Sequence, residues 1–490
     1  MKPLSLCSAL VGLMVAGATA TVEAVATRSI ASLPATFTPP AVFKHKNLVR
    51  IVSLEKNYAR ETINVQVANV DKHAQSEYFL AFDAVKFPHV GGVEVKDKKD
   101  PEAGEFIVTP VEYDAANPVQ YYKITFPTAL AADAQQTLSI TYNILKASKP
   151  LPASIAQQDR QFLKYDFSAY VPSAYETAKQ KTEIKFSTSK VPDYTKIEGL
   201  TQLQNTKLTY GPFENQPAGA AYPASVRYEF NKPVIHIQTL DRDVEVSHWG
   251  GNVAFEEHYD LYHRGANLSS LFSRVKWQQQ MYMNPETHAV KELTFNLPVG
   301  SVDPYYTDVI GNVSTSRFRA NHREALLQAK PRYPIFGGWK YPFTVGWNSD
   351  TDYFVRSTGG NGYVLNVPLF DGPTQAEGVE YGTVNVQVLL PEGAENVRYY
   401  ADIPSSSIVK SEVTIVKTYL DTVGRTAVIV KAENLVDDMG SRQLVIAYNY
   451  STAAALRKPL VVFASALSLF FAAFVVTSID LSFAKTSKKN

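Results

Sequence analysis

The segment EVSHWGGNVAFEEHYDLYHRGANLSS, Glu245 to Ser270, crowds His248, Glu256, Glu257, His258, Asp260 and His263 into one short stretch. On a helix these groups would form a metal or acid/base cluster; on a strand they divide between two faces. The apolar positions decide it. Val253, Phe255, Tyr259 and Leu261 recur at every second residue and carry Glu257 with them, while Ala254, Glu256, His258, Asp260 and Tyr262 face the other way. The period is two, so the segment is a strand with a polar ladder, Glu256–His258–Asp260, on one face. Such a ladder holds a metal only if a further ligand reaches it from elsewhere; a half-exposed strand gives the same pattern with no chemistry. His258 and His263 are five positions apart, not the four of a zinc-binding helix, and no H-E-x-x-H occurs in the chain.

The same alternation runs outward from this stretch. RETINVQVANV sends Ile63, Val65 and Val67 to one side, GTVNVQVLLPEG does so with Val384, Val386 and Val388, and QTLSITYNIL with Leu138, Ile140 and Tyr142. With 28 prolines, 28 tyrosines and few runs of 3.6-residue period, the chain is expected to be mainly β, as two β-rich, sandwich-like domains. Short helices are expected near SSLFSRVKWQQQMY (Ser269–Tyr282) and RANHREALLQAK (Arg319–Lys330). Two echoes hint at duplication: QTLSITYNI at Gln136 with RQLVIAYNY at Arg442, and Val52-Ser53 with Val246-Ser247, each pair opening a hairpin. The expected organisation is a leader at 1–20, β-rich domains at 21–235 and 236–455, a span at 458–480 and a tail at 481–490. All four tryptophans, Trp249, Trp277, Trp339 and Trp347, fall in the second domain, which therefore carries the heavier aromatic core or the stickier surface.

The ends set the compartment. Lys2, an apolar run from Leu4 and small residues at Ala18-Thr19-Ala20 have the layout of a secretory signal peptide cleaved after Ala20. Leu460 to Ile479 is free of charge and long enough to cross a hydrocarbon core of about 30 Å. Ser465, Ser468 and Thr477 are tolerable there because they can bond back to helix carbonyls. Arg457 and Lys458 on one side balance Lys485, Lys488 and Lys489 on the other. The leader breaks the tie: a single-pass chain with its bulk translocated. The only cysteine, Cys7, lies in the leader, so the mature chain has no thiol chemistry, disulfide or cysteine–zinc site. A net charge of +1 gives no electrostatic case for nucleic acid.

Other candidate chemistry is weak. Asp241-Arg242-Asp243 and Asp350-Thr351-Asp352 resemble cation-binding carboxylate pairs but are expected at solvated turns, and the charged run from Lys96 to Glu102 in a solvated loop. STGGNGY (Ser357–Tyr363) precedes no helix and fits a hairpin turn. No G-x-S-x-G elbow occurs. No catalytic, metal or cofactor site is assigned. Asn267-Leu268-Ser269 and Asn312-Val313-Ser314 are expected glycosylation sites; Asn449-Tyr450-Ser451 is set aside because its strand neighbours suggest burial.

Ordered blocks carry a family resemblance: EVSHWGGNVAFEE…GANLSSLFSR from Glu245, YYTDVIGNVSTS at Tyr305, PRYPIFGGWK…VGWN at Pro331, LPEGAENV at Leu390 and TYLDTVGRTAVIV at Thr418. Together they resemble the ribophorin I family, subunits of the endoplasmic reticulum oligosaccharyltransferase, most specifically from Glu245 to Val430. The resemblance implies a non-catalytic lumenal scaffold in the complex that moves an oligosaccharide from dolichyl diphosphate to asparagine in N-x-S/T. Its partners would be a catalytic multi-span subunit and smaller membrane subunits, with nascent polypeptide nearby. It also implies two β-rich lumenal domains similar to the non-catalytic N-terminal domain of some zinc aminopeptidases. The chain stops after LSFAKTSKKN, as in the short-tailed fungal form. Expected contact residues are Trp339 and Trp347 in the aromatic second domain, and the Ala464, Ser468 and Ala472 seam on the span. A single-pass lumenal or cell-surface adhesion protein is the alternative, separable by the endoglycosidase H sensitivity of its glycans.

Overall fold

The computed structural model describes residues 26–478 other than 35–36, 101, 103, 284–285 and 418–420. The leader (1–20) and the tail (481–490) lie outside the described residues. Alternation is the organising fact: in the strand Asn252–His263 every second residue from Val253 to His263 is buried, and in Ala59–Asn69 Ile63, Val65 and Val67 are buried. Strands buried on one face must pack that face against another layer, and they do so in two separate cores.

In chain order the first half contributes β1 (Phe43–Leu54), β2 (Ala59–Asn69), β3 (Gln75–Asp83), β4 (Val90–Asp97) and β5 (Ile107–Pro110). It continues with β6 (Val119–Leu130), β7 (Gln135–Ile144), β8 (Ser148–Pro150), β9 (Phe162–Ser168) and β10 (Glu176–Phe186). It ends with β11 (Asp193–Tyr194), β12 (Thr201–Gln204), β13 (Lys207–Gln216) and β14 (Pro223–Glu229). The second half follows with β15 (Ile235–Ser247), β16 (Asn252–His263), β17 (Leu293–Leu297), β18 (Val302–Asp308) and β19 (Arg317–Ala320). Next come β20 (Ala325–Ala329), β21 (Lys340–Asp350), β22 (Val355–Gly359), β23 (Gly362–Pro368) and β24 (Val379–Glu392). It closes with β25 (Glu395–Ala401), β26 (Ile408–Val416), β27 (Arg425–Val436) and β28 (Gln443–Asn449). Among the described residues three α-helices interrupt or follow: α1 (Arg274–Met283), the single turn α2 (Thr351–Phe354) and α3 (Thr452–Ser478).

The strand pairings of the halves are the same, offset by fourteen strands. The large sheet of the first half runs β12-β13-β10-β1-β2-β7-β4; that of the second runs β26-β27-β24-β15-β16-β21-β18, with the short strands Ala26–Thr27 and Gly311–Asn312 added at its edges. A four-stranded sheet β11-β14-β9-β8 is matched by β25-β28-β23-β22, and a three-stranded sheet β3-β6-β5 by β17-β20-β19. In each large sheet the central neighbours pair in parallel, β1 with β10 and β15 with β24, while their other pairings are antiparallel. The Val52-Ser53 and Val246-Ser247 echo falls at equivalent places, near the ends of β1 and β15. The other echo does not: it aligns β7 with β28, whereas the pairing equates β7 with β21 and β28 with β14. Alternating strands look alike wherever one face is buried, so that match carried no positional information.

The helix expected at Ser269–Tyr282 is present as α1. The one expected at Arg319–Lys330 is instead the hairpin β19–β20. Ala, Leu, Glu and Gln favour helix locally, but Ala325, Leu327 and Ala329 alternate into the second core. The Asn321 side chain closes the turn by accepting from the backbone N–H groups of Arg323 at 2.7 Å and Glu324 at 3.0 Å. Tertiary burial overrides a preference worth tenths of a kcal/mol per residue.

The halves stack head to tail. The β1–β2 turn enters the junction: the Asn57 side chain donates to Ile235 O at 2.7 Å and its backbone N–H to Glu377 O. Beside it Lys56 pairs with Asp437 and Asp438, Tyr58 donates to Asp437, and Arg60 pairs with Asp438. These partners sit at the start of β15 and just beyond β27, the end of the large second sheet farthest from the Ser247–Asn252 turn.

Candidate functional site

The opening segment is β16 with the turn and strand end on either side, and the structure disperses its titratable groups. His248 lies beyond β15, among the rings of Tyr363, Tyr448 and Tyr450, with its Nε2 2.9 Å from Tyr448 Oη. His263 is fully buried; its Nε2 donates to His288 O at 2.7 Å and its Nδ1 accepts from Gly265 N–H at 3.0 Å. Burial pushes its imidazole down to about 4. Of the ladder, His258 Nε2 lies 2.8 Å from Glu256 Oε1 and its Nδ1 2.8 Å from Thr344 Oγ1, Tyr305 donates to Glu256, and Asp260 is exposed. Its ring is thus engaged at both nitrogens by neighbours on its own sheet. Among the described residues no group of three or more His, Cys, Asp or Glu is arranged to hold a metal.

The concentrated charge lies on the opposite, core face. Arg242, Glu257 and Asp371 are buried together: Arg242 pairs with Glu257 and, at 2.8 Å, with Asp371, while Tyr259 donates to Glu257. The guanidinium also lies over the rings of Phe255 and Trp347. Burial raises the Asp371 carboxyl to about 6; the Arg242 charge opposes the rise and the Glu257 charge adds to it. The first half has a counterpart on its own leading hairpin. Arg50 and Glu61 are buried 3.9 Å apart, with Tyr142 and Tyr165 each donating to Glu61 at 2.8 Å. Each network ties the hairpin to the strands or loops packed over it: Asp371 N–H donates to Glu257 at 2.9 Å, and Arg50 donates to Ser168 O. Both networks act as packing pins, their charged side chains buried between the layers. The Asp241–Asp243 triplet, expected at a turn, is therefore mid-strand. The alternation that puts Leu240, Val244 and Val246 inside puts Arg242 inside as well. Asp350 does sit at a turn, where it caps α2 by accepting from Asp352 N–H at 2.9 Å. The Ser357–Tyr363 stretch forms the β22–β23 hairpin, with Gly359 and Gly360 at φ of 102° and 58°.

Trp347, expected at a contact surface, is 1% exposed and stacks on Phe255 with centroids 5.2 Å apart. That burial corrects the expectation: it is core. Trp339 is half-buried among Phe272, Tyr333 and Phe336, and with Tyr262 and Asn267 borders an open hollow. Asn267 and Asn312 are exposed. Asn449, set aside as buried, is exposed too, because its side chain points off the sheet while Tyr448 and Tyr450 turn inward. A cleft of about 600 Å³ lies at the junction of the halves, floored by Phe230, Pro233 and Val290 and rimmed by Glu229, Lys232 and Glu377.

α3 begins three residues after β28, and among the described residues it is the one helix long and apolar enough to cross a membrane. Ser465, Ser468 and Thr477 donate to the carbonyls of Val461, Ala464 and Phe474 at 2.7–2.9 Å, the back-bonding expected of them. Its first turns are docked. Ala454 is buried against Gly393, and Lys458 lies 2.6 Å from Asp421 and 3.6 Å from Glu392. Pro459 has no N–H to donate to Ala455 O four residues back. Trp249 Nε1 donates to that carbonyl instead, at 2.5 Å.

The chain matches the Ribophorin I family over residues 43–477. Subunit 1 of dolichyl-diphosphooligosaccharide–protein glycosyltransferase from Caenorhabditis elegans is 32% identical over 465 residues, covering 94% of this chain and 76% of that protein. Subunit 1B from Arabidopsis thaliana is 29% identical, covering 89% and 93%, and subunit 1B from Oryza sativa subsp. japonica 30% identical, covering 84% and 86%. Among solved structures, an M1 zinc metallopeptidase from Deinococcus radiodurans aligns over 43% of this chain and 42% of its own at 9% identity, with a TM-score of 0.25 too low to carry a conclusion. With both halves and the apolar helix inside one continuous match, this chain belongs to the ribophorin I family.

Proposed function

We propose that the chain is subunit 1 of an oligosaccharyltransferase complex that glycosylates asparagine in N-x-S/T, acting as a non-catalytic scaffold. It would be held in the endoplasmic reticulum membrane by α3, with two lumenal domains that divide near residue 235, beside a catalytic multi-span subunit and smaller membrane subunits. The carrying observation is the family match over residues 43–477, which takes in both halves and the helix. The polar groups support a structural role: Arg50–Glu61 and Arg242–Glu257 are spent inside the cores, and the Glu256–His258 pair is engaged by Tyr305 and Thr344.

Purification of the full chain in mild detergent tests membership: a multi-span glycosyltransferase should co-elute, and its absence overturns the reading. The triple variant Glu256→Gln, His258→Ala, Asp260→Asn tests the scaffold role. Peptide glycosylation by the intact complex should keep its rate. A loss of turnover with the complex still assembled would place reactive groups in this chain.

A further inference from the structure

Exposed apolar residues gather at one end of the large second sheet. Ile415 is the penultimate residue of β26, Val423 precedes β27, Trp249 tips the β15–β16 turn, Tyr353 follows β21 and Val302 opens β18; each is between 44% and 64% exposed. Strand register places them side by side: Val416 pairs with Arg425, Arg425 with Glu392, Ser247 with Asn252, Asn252 with Asp350, and Asn348 with Val302. They form one apolar rim across the sheet.

The repeat shows that this end is built to be covered. The equivalent turn of the first half, between β1 and β2, carries Asn57 and Tyr58, each 2% exposed because the second half closes over them. Among the described residues, what meets the same end of the second half is the first turns of α3.

The helix fixes what lies there. Trp249 holds Ala455 O, and Glu392 joins the Thr422–Val423 turn to Lys458 by accepting from both backbone N–H groups, at 2.7 and 2.6 Å. Ala455 is five residues before Leu460, where the uncharged run begins. At 1.5 Å per residue that is about 7.5 Å, comparable with one headgroup layer of roughly 5–8 Å. Tryptophan and tyrosine are favoured at that depth. Charges of both signs flank the rim, Asp303, Asp350, Asp352 and Glu395 with Arg356, Lys417 and Arg457, which suits a zwitterionic surface rather than an anionic one.

We propose that this rim rests in the zwitterionic headgroup zone of the lumenal leaflet, so that the second half sits upright on the bilayer as well as being tethered to it. The proposal rests on α3 spanning a membrane, not on which complex the chain joins.

Single-cysteine labelling tests it, since Cys7 is the only native cysteine. In a Cys7→Ser background, Val302→Cys, Tyr353→Cys and Val423→Cys would each carry a nitroxide. The full chain in its complex would be placed in phosphatidylcholine nanodiscs. Collision with lipid-soluble oxygen and with a water-soluble nickel chelate would be compared. Phe470→Cys reports the span and Val85→Cys, on the exposed first half, reports water. The rim labels should shift toward oxygen and away from nickel relative to Val85. Free access of nickel to the rim would overturn the proposal, and shielding from both reagents would overturn it in favour of a covering subunit. Nickel access at Phe470 would overturn the span, and the rim with it.

Discussion

Trp347 and Trp339 look alike in the sequence and differ in what surrounds them. Removing a buried indole leaves a cavity, and Trp→Ala changes in a core cost roughly 3–5 kcal/mol. Trp347→Ala should therefore lower the melting temperature of the second half by roughly 10 °C, at about 2–4 °C per kcal/mol for a unit of this size. Trp339→Ala, at a half-buried site, should melt nearly as the parent does and show its effect, where it is a contact, as weaker co-purification of the complex. Thermal melts and pull-downs on the two variants separate the roles. Buried histidines give a second prediction. Burial lowers His288 to about 4, and among the described residues neither of its ring nitrogens has a hydrogen-bond partner. Its folded value lies below the ordinary 6.5, so the unfolded chain takes up the proton first. Its contribution to stability is complete above about 6.5 and is lost as pH falls toward 4. His45, pushed by burial to about 3, and His263 act in the same direction. His288→Leu should leave stability near pH 7 unchanged or raised, and should flatten the fall in melting temperature between pH 6.5 and 4. A variant that loses stability as steeply as the parent across that window would show that His288 is not titrating there.

At the level of elements, α3 presents Ala464, Ser468 and Ala472 along one face, and Ser468 bonds back to Ala464 O, so the face is small and has no unmet polar group. Helices in lipid gain association energy from close backbone approach at such faces. Ala464→Phe and Ala472→Phe should reduce recovery of the multi-span partner in detergent, while Phe470→Leu, away from the seam, should not; equal recovery of all three would show the face is turned to lipid. The long apolar helix, the strand class and α1 were legible because each depends on a local property: uncharged length, period two, or a helical run. What escaped depends on partners distant in the chain. Arg242 appeared solvated because D-x-D is common in turns, yet Glu257 and Asp371 stabilise it inside. Arg319–Lys330 became a hairpin because Ala325, Leu327 and Ala329 serve the core of another sheet. Pro459 removes a helical hydrogen bond, and only the fold reveals that Trp249, far back in sequence, satisfies the carbonyl it orphans.

On the scale of the molecule, the two equivalent units and the apolar helix are arranged in series: first half, second half, α3. The leading-hairpin turn of each unit meets the next component, so the first half stands farthest from α3, joined through Asn57, Lys56 and Arg60. This order separates the three sequons. Asn267 lies toward the junction, its backbone in register with Ser154 of the first half, and Asn312 on the outer edge of the large sheet. In the proposed placement both stand clear of the bilayer. Asn449 is exposed, but it pairs with Gly362 and Glu395 at the rim end and is followed within three residues by α3. If the rim rests among headgroups, Asn449 lies at their edge, where a bulky polar glycan has little room. Asn267→Gln and Asn312→Gln should each increase gel mobility by one glycan, the pair together should match the fully deglycosylated protein, and Asn449→Gln should change nothing. A third glycan removed by Asn449→Gln would put that residue well clear of the leaflet and require the second half to stand off from the bilayer, or tilt away from it, on its first helical turn.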